Sequence, residues 1–354
     1  MKRFSWIVGI AVGGLLLNSC EKDPPAHSLL PDSFDGPTAV ELEVPEGFPQ
    51  PFLDESNPLT EEGIQLGRKL FYDPMLSDDN SMSCATCHNQ EFAFTDNGEQ
   101  FSDGIDGLVG NRNSMAIINL AWGTRFFWDG RSESLLEQAF EPVTNPIEMN
   151  TTWEKVVAKL QDDPLYPTEF ERVFGTSEID SVLVVKAIVQ FEMTLISGNT
   201  RYDQFIRREI NFTPQERNGF VIFTTERGDC FHCHTPSLML DNSFHNNGLD
   251  ATFEDLGLGE LTGNPEDNGK FKTTTLRNIE FTGPYMHDGR FETLEEVVEF
   301  YSFGLTESPT IDPLMKNVSR MGIALTPTEQ VDLIAFLKTL SDPKFLTNPA
   351  FSKP

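Results

Sequence analysis

Two copies of one pentapeptide constrain this chain more than any other feature. The first is Cys84-Ala85-Thr86-Cys87-His88 and the second is Cys230-Phe231-His232-Cys233-His234. Both have the pattern C-x-x-C-H, and together they use four of the five cysteines in 354 residues. On one helical turn, two cysteines with this spacing can each form a thioether with a haem vinyl group, and the next His can bind the iron. The sequence therefore predicts two covalently bound haem c groups, with His88 and His234 as iron ligands.

Two other uses of paired cysteines fit this pattern less well. Zinc sites bring C-x-x-C pairs together over much shorter separations, and zinc does not need the His that follows each pair. A thioredoxin-like redox site needs a strand–helix–strand context, which neither flanking segment shows. Covalent haem is the favoured interpretation.

The fifth cysteine, Cys20, follows a segment typical of an export signal. Two basic residues precede an apolar run over 7–17, which is too short to span a membrane comfortably. A Cys at the cleavage point is typical of a bacterial lipoprotein, although Asn18 is less common there. The alternative is an uncleaved anchor helix with an incidental Cys. We expect residues 1–20 to be a lipoprotein signal that places the mature protein in the periplasm, followed by a Pro- and acid-rich tether over 21–50.

The charge balance excludes whole classes of partner. The chain has 55 acidic and 26 basic residues, a formal net charge of −29. Nucleic-acid binding needs a basic footprint, and binding to anionic lipid headgroups needs a polybasic patch. We expect no nucleic-acid partner and membrane contact only through the lipid anchor. A partner with a positive docking face would be steered towards such a surface.

The repeat extends beyond the cysteine motifs. Phe127-Trp128-Asp129-Gly130-Arg131-Ser132-Glu133-Ser134-Leu135 follows the first, and Met286-His287-Asp288-Gly289-Arg290-Phe291-Glu292-Thr293-Leu294 follows the second. Trp128 corresponds to His287 in this alignment. Two related haem domains explain the repeat, and we predict them at 51–205 and 206–345.

The local patterns are mainly helical. Capping boxes with Pro at the first helical position begin at Thr213 and at Thr326. Gly- and Asp-rich stretches over 96–112 and 241–270 predict surface loops, and no alternating run is long enough for a substantial sheet. Residues 178–196 predict a further helix with one apolar face, formed by Val182, Val185, Val189, Met193 and Ile196. The predicted fold is all-α, with two cytochrome-c-like haem domains in tandem and long loops.

In combination, these motifs resemble those of the bacterial dihaem cytochrome c peroxidases. That family also includes the MauG-type enzymes, which mature a tryptophan-derived quinone. The resemblance covers about 55–342 and includes Asn145-Pro146-Ile147-Glu148-Met149 and Phe191-Glu192-Met193-Thr194-Leu195-Ile196-Ser197. It implies that the N-terminal haem, bound through His88, reacts with peroxide. The C-terminal haem, bound through His234, would receive electrons from a donor.

The resemblance implies roles for two further residues. Trp128 occupies the place of a Trp implicated in electron transfer between the haems, and Glu148 that of an acid that assists O–O cleavage. A carboxylate within hydrogen-bond reach can move a proton from one peroxide oxygen to the other. Outside the motif context, Glu148 would be interpreted as a solvated loop acid and Trp128 as a core aromatic.

Two positions depart from the commonest family pattern. In many members a His in the loop after the first haem motif blocks the peroxidatic iron, but Ile105 stands there, so we expect an open sixth position without reductive activation. Where the second haem usually has a Met ligand, this chain has Tyr301, as in the MauG-type branch. A phenolate ligand would lower the reduction potential, whereas Met would raise it. The alternative is that Tyr301 is a buried aromatic and that Met315 or Met321 is the ligand.

The resemblance also implies a calcium ion between the two domains. Asn113, Thr282 and Pro284 match the family's calcium-binding positions, and oxygen donors suit this cation. The alternative is that all three are ordinary turn residues. We expect His245 to be a solvated loop residue and His287 to lie near a haem propionate. Family members are often dimers, and a homodimer is consistent with the resemblance.

Three functions are compatible with these features. The leading one is reduction of hydrogen peroxide to water by a dihaem peroxidase, with electrons from a small cytochrome c or copper protein. The second, favoured by Tyr301, is a MauG-like oxidase that modifies a protein substrate through high-valent haem. The third is a dihaem electron carrier, which Glu148 and the missing blocking His argue against, since a carrier gains from six-coordinate irons.

Overall fold

The computed structural model describes residues 36–96 and 98–354. The predicted lipoprotein signal, including Cys20, and residues 21–35 of the predicted tether lie outside this part. None of the helices in the described ranges is both long and apolar enough to cross a membrane.

Helices dominate the described residues, as predicted from the sequence. The α-helices are α1 (Glu61–Phe71), α2 (Cys84–Cys87), α3 (Leu135–Thr144), α4 (Trp153–Asp162), α5 (Tyr166–Phe174), α6 (Ser181–Glu192), α7 (Arg201–Ile206), α8 (Pro214–Phe223), α9 (Leu258–Thr262), α10 (Leu294–Phe303), α11 (Pro327–Lys338) and α12 (Pro343–Thr347). Short 3-10 helices cover Pro74–Leu76, Gln90–Phe92, Leu120–Trp122, Cys230–His232, Pro265–Asp267, Ile279–Phe281 and Val318–Arg320. Two short antiparallel strands, β1 (Phe244–His245) and β2 (Phe271–Lys272), form the sheet of the described residues, with Phe244 opposite Lys272.

Capping residues define where the helices begin. The hydroxyl of Thr213 accepts from the backbone N–H of Glu216, and that of Thr326 accepts from Glu329, so both predicted capping boxes are confirmed. The helix predicted over 178–196 is shorter, because Asp180 caps α6 at its start and the helix ends at Glu192. Val182, which was predicted on the apolar face of this helix, lies in the first turn and is 47% exposed.

Two helix pairs pack through glycines at equivalent places in the repeat. A Cβ added to Gly67 of α1 would lie 1.8 Å from the carbonyl oxygen of Ala187 in α6. A Cβ added to Gly219 of α8 would lie 1.9 Å from the carbonyl oxygen of Asp332 in α11. Each glycine therefore allows two helix backbones to approach more closely than any side chain would permit. In each half, the first helix of the pair precedes a C-x-x-C-H motif.

The loops repeat as well. Asn119 and Asn278 both have positive φ, 56° and 59°, immediately before a 3-10 helix. The Asp-Gly-Arg turns are flanked by single antiparallel bridges, Phe126 with Ser132 and Tyr285 with Phe291. The sequence repeat thus corresponds to a repeat of the backbone path.

Buried apolar side chains form separate clusters. One draws on residues 66–195 and is completed by Phe345 and Phe351, while a second draws on residues 202–340. The predicted boundary between 205 and 206 lies close to the change from one set to the other. It stays a prediction.

Two irregular regions pack more tightly than their composition indicated. Phe48, in the described part of the predicted tether, packs edge-to-face against Trp122 at 5.3 Å, and the Trp122 indole N–H donates to the carbonyl of Pro49 at 2.8 Å. The predicted surface loop over 241–270 contains α9, β1 and a 3-10 helix, and Asn246 within it is buried. The loop prediction was wrong for those parts, because residues far along the chain cover them.

Candidate functional site

The first C-x-x-C-H motif lies on the wall of a cavity in the N-terminal half. Cys84–Cys87 form the single turn of α2, in which the backbone N–H of Ser83 donates to Thr86 Oγ1. His88 follows, and its Nδ1 lies 2.9 Å from the carbonyl oxygen of Phe94. Because a carbonyl oxygen can only accept a hydrogen bond, Nδ1 carries the proton. The lone pair of Nε2 is therefore free to bind a metal ion. This cavity, the N-terminal cavity, has an empty volume of about 1680 Å³, part of which is open to solvent.

The second motif lines a separate cavity, the C-terminal cavity, of about 1530 Å³. Here the motif forms a 3-10 turn, Cys230–His232, and His234 follows it. His234 Nδ1 lies 3.0 Å from the carbonyl oxygen of Met239, which fixes the same tautomer as in the first motif. Burial lowers the pKa of both His88 and His234, so each imidazole is kept neutral, the form that binds a metal.

The four motif cysteines are free thiols rather than disulfides. Burial raises the pKa of Cys87 and of Cys230 to about 12, which is the opposite of the shift expected for a reactive redox thiolate. Each cavity therefore presents two cysteine thiols and one neutral imidazole on one short turn. This donor set fits a c-type haem in each cavity and does not fit a thioredoxin-like site.

Glu148 lies in the N-terminal cavity with His88. Asn145 Nδ2 donates to its Oε1 at 2.7 Å, while Oε2 accepts no hydrogen bond from the residues that the structure describes. Burial raises the pKa of Glu148 above its usual value, against the opposing effect of the Asn145 hydrogen bond. The carboxyl is therefore held in place by one oxygen and is suited to exchanging a proton through the other. It is not a solvated loop acid.

Ile105 supports the Glu148 segment from the neighbouring loop. Its backbone N–H donates to the carbonyl of Glu148 at 3.0 Å, and its side chain packs against the core. His88 is the one His among the described residues that line the N-terminal cavity.

Trp128 and Lys272 line both cavities. The Trp128 indole N–H donates to the carbonyl of Asn113 at 2.8 Å, and the backbone N–H of Lys272 donates to the carbonyl of Trp128 at 2.8 Å. Lys272 Nζ donates to the carbonyl of Arg125 at 2.5 Å, and burial lowers its pKa to about 8. The structure thus places Trp128 between the two candidate haem sites, beside a buried amine that sequence analysis missed.

Arg112 fixes the position of the turn that carries Trp128. Its Nε and Nη2 donate to the two carboxylate oxygens of Asp255 at 2.7 and 2.8 Å, and its Nη1 donates to Asp129 at 2.6 Å. The guanidinium is 15% exposed. Partly buried, bidentate ion pairs of this kind are geometrically specific, so Arg112 joins the turn that carries Trp128 to the loop that carries Asp255.

Tyr301 of α10 lines the C-terminal cavity with His234. Its hydroxyl oxygen accepts from Asn247 Nδ2 at 3.0 Å, and burial raises its pKa to about 12. Met315 lines the same cavity, whereas Met321 does not line it and is 61% exposed. The structure brings Tyr301 and Met315 together with His234 and leaves Met321 outside.

His245 is not the solvated loop residue that was predicted. Its Nε2 lies 2.8 Å from Asp241 and its Nδ1 lies 2.6 Å from Asp312, and it lines the C-terminal cavity. Hydrogen bonding, first of all to Asp241, raises the pKa of His245 to about 11, so the ring is an imidazolium. Asp312 lies too far along the chain for this pairing to be read from the sequence.

The residues predicted for calcium lie in two segments. The Asn113 side chain donates to the carbonyls of Glu99 and Gln100, and its backbone N–H donates to the carbonyl of His287 at 2.7 Å. Thr282 and Pro284 follow the 3-10 helix Ile279–Phe281. Among the described residues, no hydrogen bond joins Asn113 to that turn. The His287 ring is buried and stacks on Phe271 at 3.7 Å.

Glu192 is a further cavity residue that sequence analysis did not single out. It ends α6, is 4% exposed and lines the N-terminal cavity. A buried acid at the end of a largely apolar helix is a signal for a special role, and it was present in the sequence.

Comparison with known proteins identifies close relatives over nearly the whole chain. The family described as di-haem cytochrome c peroxidase matches residues 61–211. The methylamine utilization protein MauG of Methylorubrum extorquens is 35% identical, over 98% of this chain and 96% of its own length. The cytochrome c551 peroxidase of Nitrosomonas europaea is 35% identical, over 78% of this chain and 79% of its own. A crystal structure of a MauG-like protein associated with microbial copper homeostasis has a TM-score of 0.82 and 34% identity, and the match covers 89% of this chain and 99% of that one.

Proposed function

Because the chain belongs to the di-haem cytochrome c peroxidase and MauG family, we propose that it is a peroxidase that reduces hydrogen peroxide to water. Electrons would come from a small redox protein, either a cytochrome c or a copper protein. One observation carries the proposal: the N-terminal cavity is lined by a partly buried carboxyl, Glu148, together with His88, whose Nε2 is free. An acid in that position has a use in peroxide chemistry and none in simple electron transfer.

Two covalently bound haems would be held in tandem cytochrome-c-like domains. Cys84, Cys87 and His88 would hold one, and the second would be held by Cys230, Cys233 and His234. When bound, the haems supply the iron redox chemistry of the reaction. The protein contributes neutral imidazoles, whose orientation is set by the carbonyls of Phe94 and Met239.

Glu148 would move a proton between the two oxygens of peroxide. Asn145 holds Oε1, so Oε2 can accept a proton from one peroxide oxygen and return it to the other. The raised pKa suits this task, because a general acid–base works best when its pKa approaches the working pH. The proton stays inside the cavity during this transfer.

Trp128 would connect the two haem sites. It lines both cavities, and its ring is oriented by hydrogen bonds from its indole N–H to Asn113 and from Lys272 to its carbonyl. Arg112 restrains the same turn through Asp129. A rigid aromatic in this place keeps the path between donor site and peroxide site short and constant.

A MauG-like oxidase acting on a protein substrate is the second candidate. Tyr301 favours it, because it lines the C-terminal cavity at the position where a Met ligand is the commoner choice. Similarity to MauG over 98% of the chain is in keeping with this candidate. The electron carrier is disfavoured by Glu148, whose burial would bring no benefit there.

Location and further ligands belong to the same proposal. The export signal and Cys20 support a periplasmic protein anchored by lipid. The acidic surface favours a donor with a positive docking face, and Asn113, Thr282 and Pro284 remain the candidates for calcium. A homodimer is consistent with the family resemblance.

Mixing the haem-loaded protein with hydrogen peroxide and reduced cytochrome c separates the three functions. Rapid oxidation of the donor, matched to peroxide consumed, supports the peroxidase. A long-lived spectral change with little donor oxidation favours the MauG-like oxidase. Absence of any reaction with peroxide leaves the carrier and overturns the proposal. Running the assay with and without calcium tests the calcium site.

A further inference from the structure

Glu192 has a buried carboxyl oxygen without a partner. The residue is 4% exposed, and its Oε2 forms no hydrogen bond with any residue that the structure describes. Leaving a polar atom unpaired in the interior costs free energy, on the order of 1–3 kcal/mol, and an isolated charge costs far more. A buried carboxyl in this state is a candidate for a role in the chemistry of the cavity that it lines.

The carboxyl belongs to the same cavity as Glu148 and His88. Burial is the main cause of the raised pKa of the Cys84 thiol, and the charges of Glu192 and Glu148 raise it further. Both carboxyls line the N-terminal cavity together with Cys84, the first residue of the haem-attachment turn. Glu192 approaches it from α6, whereas Glu148 approaches it from the segment after α3.

Glu192 is kept neutral by its surroundings. None of its oxygens takes part in an ion pair among the described residues. Burial alone raises its pKa to about 8, so the group carries a proton at neutral pH. Its surroundings contrast with those of Glu148, where the Asn145 hydrogen bond favours the charged form.

Peroxide reduction consumes protons. The proposed transfer by Glu148 supplies none of them, because it only moves a proton from one peroxide oxygen to the other. The balanced reaction is H2O2 + 2 H⁺ + 2 e⁻ → 2 H2O. Transfer by Glu148 from one oxygen to the other leaves the proton count unchanged, so both protons must enter the cavity from elsewhere. A protonated carboxyl inside the cavity is placed to give one of them.

We propose that Glu192 is the proton store of the N-terminal cavity: its carboxylic acid gives a proton to the oxygen released from peroxide, and its carboxylate is then reprotonated from solvent. This role rests on the proposed peroxidase function and extends it. Electrons come from the donor protein, so the step requires no additional reductant. Glu192 acts as a proton-supplying residue, and Glu148 remains the group in contact with peroxide.

The test compares three haem-loaded proteins: wild type, Glu192→Gln and the control Glu171→Gln, in which an exposed acid of α5 is replaced. Infrared spectroscopy at neutral pH should show the carbonyl stretch of a protonated carboxyl in wild type and control. The band should be absent from Glu192→Gln. This readout does not depend on turnover.

Stopped-flow measurement with excess reduced donor then tests the supply of protons. Peroxide consumption should be slowed about 100-fold in Glu192→Gln, at unchanged haem content, because the amide cannot release a proton. Glu192→Asp should restore part of the rate. This Asp variant also serves as the test if the Gln variant folds poorly.

The outcomes are distinguishable. A wild type that consumes no peroxide overturns the proposed function and the proton store together. A wild type that consumes peroxide, with Glu192→Gln equal to the control in rate or with no infrared band assigned to Glu192, overturns the proton store alone.

Discussion

The N-terminal and C-terminal cavities are each lined by a C-x-x-C-H turn, and they differ in the other residues that line them. In both, a His follows two cysteines and donates through Nδ1 to a backbone carbonyl. The N-terminal cavity is also lined by Glu148 and Glu192, while the C-terminal cavity is also lined by Tyr301 and Met315. The shared part suits attachment of a cofactor. The differing part suits proton transfer in one cavity and ligation in the other.

The same contrast appears in the charges around each cavity. Burial raises the pKa of both N-terminal carboxyls, so these groups can hold protons. In the C-terminal cavity, by contrast, His245 is held as an imidazolium between Asp241 and Asp312, which fixes its proton. Two carboxyls with raised pKa values therefore lie on the side where peroxide is expected to react.

Removal of either cysteine pair should have the largest effect. Cys84→Ala with Cys87→Ala should remove the N-terminal haem and abolish reaction with peroxide. The matched pair, Cys230→Ala with Cys233→Ala, should keep that reaction but abolish sustained turnover with the donor. Haem staining after denaturing electrophoresis, and the mass of each chain, measure attachment. Equal behaviour of the two double variants would contradict the division of labour.

Replacement of Trp128, which lines both cavities, should slow only electron transfer between the two haem sites. Trp128→Phe should reduce donor oxidation while sparing the first reaction with peroxide. Trp122→Phe is the matched control, because its indole N–H also donates to a backbone carbonyl but it lines neither cavity. Each variant should lose about 1 kcal/mol of unfolding free energy with its hydrogen bond. Loss of donor turnover in both would show that the effect is structural.

A smaller change is expected from Tyr301→Phe. Loss of a phenolate ligand should raise the reduction potential of the C-terminal haem, since phenolate stabilises the ferric state. Tyr285→Phe is the control, because Tyr285 lines the same cavity but donates its hydroxyl to the carbonyl of Ile279 at 2.8 Å. Spectroscopic potentiometry measures both variants. A shift with Met315→Leu and none with Tyr301→Phe would assign the ligand to Met315.

The effect least connected with turnover is a dependence of stability on pH. The folded state raises the pKa of Glu192 from 4.5 to about 8, so it binds the proton more tightly than the unfolded chain does. Unfolding free energy should therefore fall as pH rises from about 4.5 to 8, by at most about 1.4 kcal/mol for each pH unit. Denaturant titrations at several pH values should show this fall relative to Glu192→Gln. Parallel curves for the two proteins would mean that Glu192 is ionised in the native state.

The local parts of the structure could be predicted from the sequence because local rules decide them. The capping boxes at Thr213 and Thr326 begin helices as expected, since a hydroxyl and an acid three residues apart satisfy the first backbone N–H groups. The family resemblance also implied that Glu148 and Trp128 belong with the first haem turn. The structure places both on the N-terminal cavity.

The missed features all depend on residues distant in sequence. His245 appeared solvated because its partner Asp312 lies 67 residues further on. Lys272 was not singled out because its position between the cavities follows from pairing with the Trp128 backbone. Val182 fits the helical period, yet the start of α6 leaves it exposed. Periodicity identifies a face, but only packing decides how far along the helix that face is covered.

The reaction of the oxidised protein with hydrogen peroxide is the most direct measurement of the difference between the cavities. Stopped-flow absorbance gives its second-order rate constant for wild type, Glu148→Gln and the exposed-acid control Glu171→Gln, all with full haem content. We predict a decrease of about 100-fold to 10,000-fold in Glu148→Gln, the range contributed by a positioned general acid–base, and no change in the control. A rate constant for Glu148→Gln equal to that of wild type would contradict the assignment of peroxide chemistry to the N-terminal cavity.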